Sequence, residues 1–331
     1  MKIRSKRPDL SASRPDAETR PPLVNGGPAE AAPNGAAPRR RRRGSVVIVS
    51  ALLAPSMVLI GLFVLAPVVY AIWLSMTNRR LTGFGARTPK FVGAENYSRL
   101  LTSADFLSSM GRTAQFIFFS AIVGQFLLGM LAAVLLTKSS VRGKGIIGGA
   151  ILLPMVVPEV VASLAWASML APGADGTVNR GLAAVGFSPV SWLQEYPMAS
   201  IIVVNTWRGI AFAMIMFQAA IEGVSDDLIE AARIDGAGAW KVFRFITLPL
   251  IRGPVFLFLL LTTITTASVF GLVYFLTRGG PGQATELVSV FIYERSFAFF
   301  QLGLGSAASV IMLVVVLILG LTYVRLARVE V

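Results

Sequence analysis

Six long apolar stretches constrain this chain more than any other feature. A helix needs about 20 apolar residues to cross the hydrocarbon core of a bilayer. Six stretches meet this length: 46–76, 112–137, 146–170, 198–221, 255–277 and 301–324. The chain is 55% hydrophobic and only 14% charged, whereas soluble domains carry about 25% charged residues. The sequence therefore predicts an all-α membrane protein, with six transmembrane helices in a domain over residues 46–331.

The first 45 residues differ from the rest of the chain. They are rich in Pro, Ala and Arg, and they hold eleven of the thirty Lys and Arg residues. We expect a disordered, basic, cytoplasmic tail. The run Arg39–Arg43 directly precedes the first apolar stretch, as expected of a positive-inside anchor. A nucleic-acid patch is the weaker alternative, so no nucleic-acid partner is expected, and the stretch that follows is too long for a cleaved signal peptide.

The distribution of charge predicts the orientation. A cytoplasmic N-terminus and six spans place the loops 138–145 and 222–254, and the C-terminus, on the cytoplasmic side. That side then carries 20 Lys and Arg residues and the opposite side 8. This bias agrees with the positive-inside rule, although the first outside loop alone carries five. We expect a multi-pass protein of the cytoplasmic membrane with both termini inside.

The chain contains no cysteine and no histidine. Disulfides, thiolate chemistry and the commonest metal ligand are thereby excluded. An intramembrane hydrolase of the zinc or Ser–His type would lack an essential group. No catalytic residue and no metal site are expected.

The inside loop carries a short polar helix. Ser225 is placed to cap it, because its hydroxyl can accept from the free N–H groups of the first turn. Asp226 and Asp227 would follow in that turn, and Gly236 would end the helix in a left-handed conformation. A helix of about ten residues is marginal alone in water, so its side bearing Leu228, Ala231 and Ala232 needs a cover.

A second amphipathic piece, Trp240–Leu248, follows the glycine and leads to Pro249. The two helices would form an elbow under the membrane. The elbow could dock another protein or pack only on its own spans, and physical arguments alone favour neither.

The stretch EAARIDGAGAWKVFRFITLPLIRGP resembles the signature loop of the permease subunits of bacterial ABC importers. Its pattern is EAA, three residues, Gly, nine residues and I-x-L-P. The residues assigned to ATPase coupling are Glu230, Ala231, Ala232, Asp235, Gly236, Ile246, Leu248 and Pro249. The resemblance implies the type I permease fold, with a coupling loop at about 225–254 whose helices insert into a cleft of the ATPase subunit.

Other segments are similar to the carbohydrate-importing, maltose-type branch. They are FVGAENYSRLL at 91–101, LLPMVVPEVVASLAW at 152–166, NTWRGIAF at 205–212, LTRGGPGQATE at 276–286 and the closing IYERSFAFFQLGLGSAAS. The resemblance implies a transport subunit, not an enzyme, that moves a sugar or related polyol across a bacterial inner membrane. It further implies three kinds of partner: a second homologous permease in a heterodimer, two ATPase subunits and an extracellular or periplasmic sugar-binding protein.

No G-x-x-x-x-G-K-[ST] phosphate loop occurs in the sequence. ATP and Mg²⁺ would therefore bind the partner ATPases, and this chain would bind no cofactor. The rival hypothesis is an ATP-independent secondary carrier or channel, which would have no use for the EAA loop.

The resemblance also implies a substrate path. The corresponding positions here are Gly209, Phe212, Thr265, Thr266 and Val269, and we add Arg208 because intramembrane charge normally has a partner or faces water. Arg208 could instead pair with Glu159 or extend to the membrane surface. The threonines could simply bond to backbone. Arg208 leaves glycerol phosphate or another phosphorylated polyol open as the substrate.

Overall fold

The computed structural model describes residues 52–137 and 142–329. The predicted disordered tail therefore lies outside the described residues. Within them the regular elements are helices, and Thr77 and Phe91 form an isolated antiparallel bridge. Val58–Val331 forms one compact unit, and the packing described below belongs to it.

Thirteen helices of the described part carry the account that follows. They are α1 (Leu52–Ser75), α2 (Glu95–Leu101), α3 (Ala104–Thr137), α4 (Lys144–Val156), α5 (Glu159–Met169), α6 (Thr177–Ala184), α7 (Pro197–Glu222), α8 (Asp226–Ile234), α9 (Ala239–Leu250), α10 (Arg252–Ala267), α11 (Gly271–Thr277), α12 (Val288–Tyr293) and α13 (Leu302–Val329).

Four of these helices, α1, α3, α7 and α13, are each long and apolar enough to cross a membrane. The pairs α4–α5 and α9–α10 meet the same test together, but each pair is bent. The described residues therefore give six spans when each bent pair counts as one. The helical fold class is confirmed, although two spans differ from the predicted straight stretches.

The predicted third span, 146–170, is broken into α4 and α5, which meet at 107°. Val157 and Pro158 between them are extended, with ψ of 126° and 141°. Proline lacks the N–H that a continuing helix needs and disfavours helical geometry in the residue before it. The hydropathy of the stretch did not register this break because the residues on both sides of it are apolar.

The predicted fifth span, 255–277, also needs correction. α10 ends at Ala267, and α11 begins only at Gly271. On its other side α10 is joined to α9 at an angle of 70°. The break at residues 268–270 exposes the first N–H groups of α11 inside the bundle, where they need an acceptor.

α1 remains one helix despite Pro55 and Pro67. It passes through a π-helical turn at Gly61–Leu65, in which Ala66 N–H donates to Gly61 O. The turn directly precedes Pro67, which cannot donate the ordinary backbone hydrogen bond. Such wide turns are a common way for a helix to continue past a disturbed hydrogen bond. The part of the predicted first span before residue 52 lies outside the described residues.

α3 and α7 pack closely because small residues face each other. A Cβ at Gly129 would collide with Ala213, and one at Gly124 would collide with the Thr206 side chain. Small residues let two backbones approach in a bilayer, where dispersion and hydrogen bonds replace the hydrophobic effect. Beside this contact, Phe217 packs against Phe126 and Phe258, with ring centroids 5.5 and 4.7 Å away. α3, α7 and α10 thus pack together around the cavity described next.

Candidate functional site: a cavity among the spans and an exposed helical elbow

A cavity of about 440 Å³ opens between α3, α4, α7 and α10; we call it the span cavity. Its lining consists of Gln125, Met155, Asn205, Arg208, Gly209, Phe212, Leu261, Thr262, Thr265, Thr266 and Val269. The six residues assigned to the substrate path from the sequence are all in this lining. The structure therefore brings them to one place, and a cavity of this volume is typical of a small-molecule site.

Gln125 organises the polar wall of the span cavity. Its side chain is 4% exposed. Its Nε2 donates to Asn205 O at 3.2 Å, and its Oε1 accepts from Thr262 Oγ1 at 2.6 Å. The amide thus links α3 to both α7 and α10. Gly209 lies directly against it, because a Cβ there would overlap the Gln125 side chain.

Asn205 and the threonines continue this polar wall. Asn205 Nδ2 donates to Ser120 Oγ at 2.9 Å. Thr265 Oγ1 donates to the backbone oxygens of Leu261 and Thr262, as the simpler interpretation of the threonines expects. Hydroxyl and amide oxygens that line a cavity can still accept further hydrogen bonds from a bound polyol.

Arg208 is partly buried in the cavity wall, and its Nε is buried without a hydrogen-bond partner. No ion pair joins Arg208 to Glu159 in the part of the chain that the structure describes. Glu159 Oε1 instead accepts from Leu272 N–H at 2.7 Å, so this carboxylate satisfies the exposed N-terminus of α11. The alternative of a Glu159–Arg208 pair is therefore wrong.

Sequence reasoning missed Gln125 and Asn205 as cavity residues. A signal was present, because both are amides inside otherwise apolar stretches, and polar groups at such positions commonly join helices. Their actual partners lie 137 and 85 residues away along the chain, at Thr262 and Ser120. Only the folded arrangement of the helices identifies those partners.

The second site is the elbow formed by α8 and α9. α8 carries Asp226 and Asp227 in its first turn, as predicted, and Arg233 in its last. Ser225 holds the N-cap position, but its side chain makes no capping hydrogen bond, so that detail of the prediction is wrong. The two aspartates still favour the helix N-terminus through the helix dipole.

Gly236 ends α8 as predicted, with a φ of +81°. Gly236 N–H donates to Arg233 O at 3.0 Å, and Ala237 N–H donates to Ala232 O at 2.9 Å. These two bonds are the Schellman arrangement, which fixes the direction in which the chain leaves the helix. α9 then begins after Gly238, whose φ is an ordinary −68°. The elbow therefore has a defined angle rather than a loose hinge.

The outer side of the elbow exposes three large apolar side chains. Ile234, Trp240 and Phe245 are 81%, 72% and 71% exposed. On the other side of α9, Val242 and Thr247 are buried. Large apolar side chains that are exposed together are a mark of an interaction surface.

The residues assigned to ATPase coupling divide between these two sides. Glu230, Ala231, Asp235, Gly236 and Pro249 are exposed, whereas Ala232, Ile246 and Leu248 are half-buried. Leu248 packs against the core that contains Phe217 and Phe258. Pro249 lies inside α9, which continues to Leu250. The elbow therefore has one face toward the spans and one face free.

A buried acid lies in the loop between α11 and α12, outside the spanning helices. Glu286 is 2% exposed, and neither of its carboxylate oxygens has a hydrogen-bond partner. Burial raises the pKa of Glu286 above its usual value of 4.5, and the nearby Glu294 raises it further. Arg112 and Arg295 act in the opposite direction with smaller effect, and Asp105 adds a small rise.

The fold and the two sites define a membrane-embedded permease with an exposed docking element. Comparison with known proteins gives the family: the one described as binding-protein-dependent transport system inner membrane component matches residues 125–329. The chain belongs to this family of ABC importer permeases, which are multi-pass proteins of the inner membrane.

Curated relatives match over most of the chain. It is 32% identical over 279 residues to the trehalose/maltose transport system permease protein of Thermococcus litoralis, covering 84% of this chain and 92% of the relative. It is also 32% identical over 279 residues to the lactose transport system permease protein of Rhizobium radiobacter, covering 82% and 90%. These relatives are named as sugar permeases, in agreement with the resemblance found in the sequence.

A solved structure agrees with the fold. The crystal structure of a bacterial ABC transporter that imports the acidic polysaccharide alginate contains a chain with a TM-score of 0.72 to this one at 23% identity. The alignment covers 86% of this chain and 96% of that chain. The type I permease fold is thereby confirmed, while an identity this low supports no statement about substrate.

Proposed function

We propose that this chain is one permease subunit of an ATP-driven importer that moves a sugar or related polyol across the cytoplasmic membrane. The observation that carries the proposal is the elbow α8–α9. Its angle is defined by the Gly236 cap, it is anchored to the spans through Leu248, and its free face exposes Ile234, Trp240 and Phe245. Such an element can pass a movement from a docked partner to the spans.

The partner that fits the elbow is an ATPase subunit. ATP and Mg²⁺ bind that partner, and this chain binds no cofactor. Two ATPases serve two permeases, so a second, homologous permease completes the pore, as a heterodimer. Both termini and the elbow lie on the cytoplasmic side, and a sugar-binding protein delivers substrate from the opposite side.

The substrate class is supported by the span cavity and by the names of the relatives. The lining combines amide and hydroxyl groups with the half-buried ring of Phe212. The hydroxyl groups of a polyol can form hydrogen bonds to the amide and hydroxyl groups. An aromatic ring offers an apolar face to a sugar ring. The curated relatives at 32% identity are named for trehalose, maltose and lactose.

Two glycines in the elbow give a matched test of coupling. An added Cβ would meet open space at Gly236 and at Gly238, but only Gly236 has a positive φ. Gly236→Val forces a β-branched residue into the left-handed region, which costs at least about 1–2 kcal/mol. We expect Gly236→Val to abolish ATP-driven uptake in membrane vesicles, and Gly238→Ala to leave it near the wild-type rate.

Glu230→Lys tests the same loop by charge, with Glu230→Gln as its neutral counterpart. The lysine variant is expected to reach the membrane in normal amount but to co-purify with less ATPase. Wild-type uptake by both Gly236→Val and Glu230→Lys would remove the coupling proposal. Uptake that persists in ATP-depleted vesicles would instead indicate a secondary carrier. A thermal-shift screen of the cognate binding protein against a sugar panel would identify the substrate.

A further inference from the structure

The starting observation is the charge in the span cavity. Of the described residues that line it, Arg208 alone carries a formal charge. An arginine within a membrane span is energetically unfavourable unless it is paired or hydrated. Its burial in the cavity wall therefore needs a reason.

The protein supplies no anion for Arg208 among the described residues. Nε of Arg208 is buried and makes no hydrogen bond. The other charged residue in the spans near the cavity, Glu159, already accepts the Leu272 N–H and lies against Gly271. Arg208 follows Trp207, whose ring packs against Trp166 at 5.6 Å, so the backbone at this point is held by packing. The guanidinium thus borders an open cavity and has no counter-charge among the described residues.

An oxyanion matches this arrangement better than a neutral ligand. A guanidinium can bind a carboxylate or a phosphate with two parallel N–H···O bonds, and charge-assisted bonds are roughly twice as strong as neutral ones. The amide and hydroxyl wall around Gln125 would remain available for the hydroxyl groups of the same ligand. A sugar or polyol bearing one acidic group satisfies both parts of the cavity.

We propose that the span cavity selects an anionic sugar or polyol, with Arg208 binding its carboxylate or phosphate group. The inference rests on the proposed transport function and narrows its substrate class. Arg208 is then a specificity-determining residue, and Gln125, Asn205 and the threonines are the contacts for the neutral part of the ligand.

The test uses three probes that differ only in the acidic group. Glucose is the neutral parent, glucuronate has a carboxylate in place of the C6 hydroxymethyl group, and glucose 6-phosphate carries a phosphate on the C6 oxygen. Each is titrated by ligand-observed NMR into the complete permease–ATPase complex in nanodiscs, without the binding protein. The variants are Arg208→Gln, which keeps hydrogen-bonding capacity without charge, and Arg208→Lys, which keeps the charge. Arg180→Gln, on exposed α6, is the control for loss of one positive charge.

We expect the wild-type complex and Arg180→Gln to bind glucuronate or glucose 6-phosphate about tenfold or more tightly than glucose, a difference worth about 1.4 kcal/mol. Arg208→Gln should lose this preference while its affinity for glucose changes less than about twofold. Arg208→Lys should retain part of it. Which acidic probe binds more tightly distinguishes a carboxylate from a phosphate ligand.

The proposal is overturned if the wild-type complex binds neither acidic probe more tightly than glucose, or if Arg208→Gln keeps the preference. It is also overturned if Arg208→Gln dissociates the two permeases, because Arg208 then pairs with the second subunit. Each of these results leaves the importer function intact as long as ATP-driven uptake still depends on Gly236.

Discussion

At the scale of single residues, the contact between Gln125 and Gly209 shows what a sequence can and cannot predict. The resemblance to the permease family predicts that Gly209 lies in the substrate path. The reason for a glycine there is that a side chain would overlap the Gln125 amide. That amide lies 84 positions earlier in the chain, and no local pattern connects the two. Residue identity was therefore predictable, whereas the contact that requires it was not.

Glu286 provides a prediction about pH. Its pKa is raised mainly by burial, so between pH 4.5 and that raised value the folded protein holds a proton that the unfolded chain has lost. Stability must therefore decrease as the pH rises through this window. Glu286→Gln keeps the shape without the charge and should raise the melting temperature at neutral pH. The melting temperature of this variant should also depend less on pH than that of the wild type.

The measurement is thermal unfolding in detergent at several pH values. Glu95→Gln, at an exposed position on α2, is the control for removing one carboxylate. A Glu286→Gln variant that is less stable than wild type at neutral pH would show that the carboxylate is ionised and paired. The charged groups that face it are Glu294, Asp105, Arg112 and Arg295, and any of the four could be varied next.

At the scale of elements, hydropathy located the spans but not their breaks. The apolar stretch 146–170 contains both α4 and α5 because the residues on each side of Pro158 are equally apolar. Proline is visible in a sequence, yet prolines 55 and 67 leave α1 a single helix while Pro158 separates two. A break also leaves backbone groups that need partners elsewhere. At the break before α11 that partner is Glu159, a side chain from α5.

Glu159 gives a prediction at this scale. Because its Oε1 accepts the Leu272 N–H, Glu159→Gln should be close to wild type, since the amide oxygen can take the same bond. Glu159→Leu would leave a buried donor unsatisfied, which costs about 1–3 kcal/mol. Thermal unfolding of the two variants in nanodiscs checks this. An equal loss of stability in Glu159→Gln and Glu159→Leu would mean that the negative charge itself is required.

At the scale of the molecule, burial is unevenly distributed among the spans. Half of the most apolar window of α7 is buried, compared with 6% for α1. α7 is therefore the central helix of the described bundle, and α1 presents most of its surface to lipid or to another subunit. α1 is also the more apolar of the two, with a mean hydropathy of 2.5 compared with 1.6 for α7, as expected of a helix whose surface faces lipid.

A pair of phenylalanines tests this distribution. Phe217 on α7 is fully buried and Phe63 on α1 is 70% exposed. Phe217→Ala should lower the stability of the isolated chain by about 3–5 kcal/mol, and Phe63→Ala should change it by less than about 0.5 kcal/mol. Thermal unfolding of both variants is measured in the chain alone and in the whole complex. A loss at Phe63 that occurs only in the complex would place α1 at a subunit interface.

The angle between α9 and α10 has a mechanical consequence. A single residue, Ile251, joins the two helices, and it is buried at 2% exposure. The two helices would therefore move as one bent unit that turns about Ile251 in the protein interior. If the 70° angle is kept, a displacement of α9 at Trp240 must also turn α10, which carries Thr262, Thr265 and Thr266. The hydrogen bond from Thr262 Oγ1 to Gln125 Oε1 joins α10 to α3. Its breaking would mark the start of cavity opening.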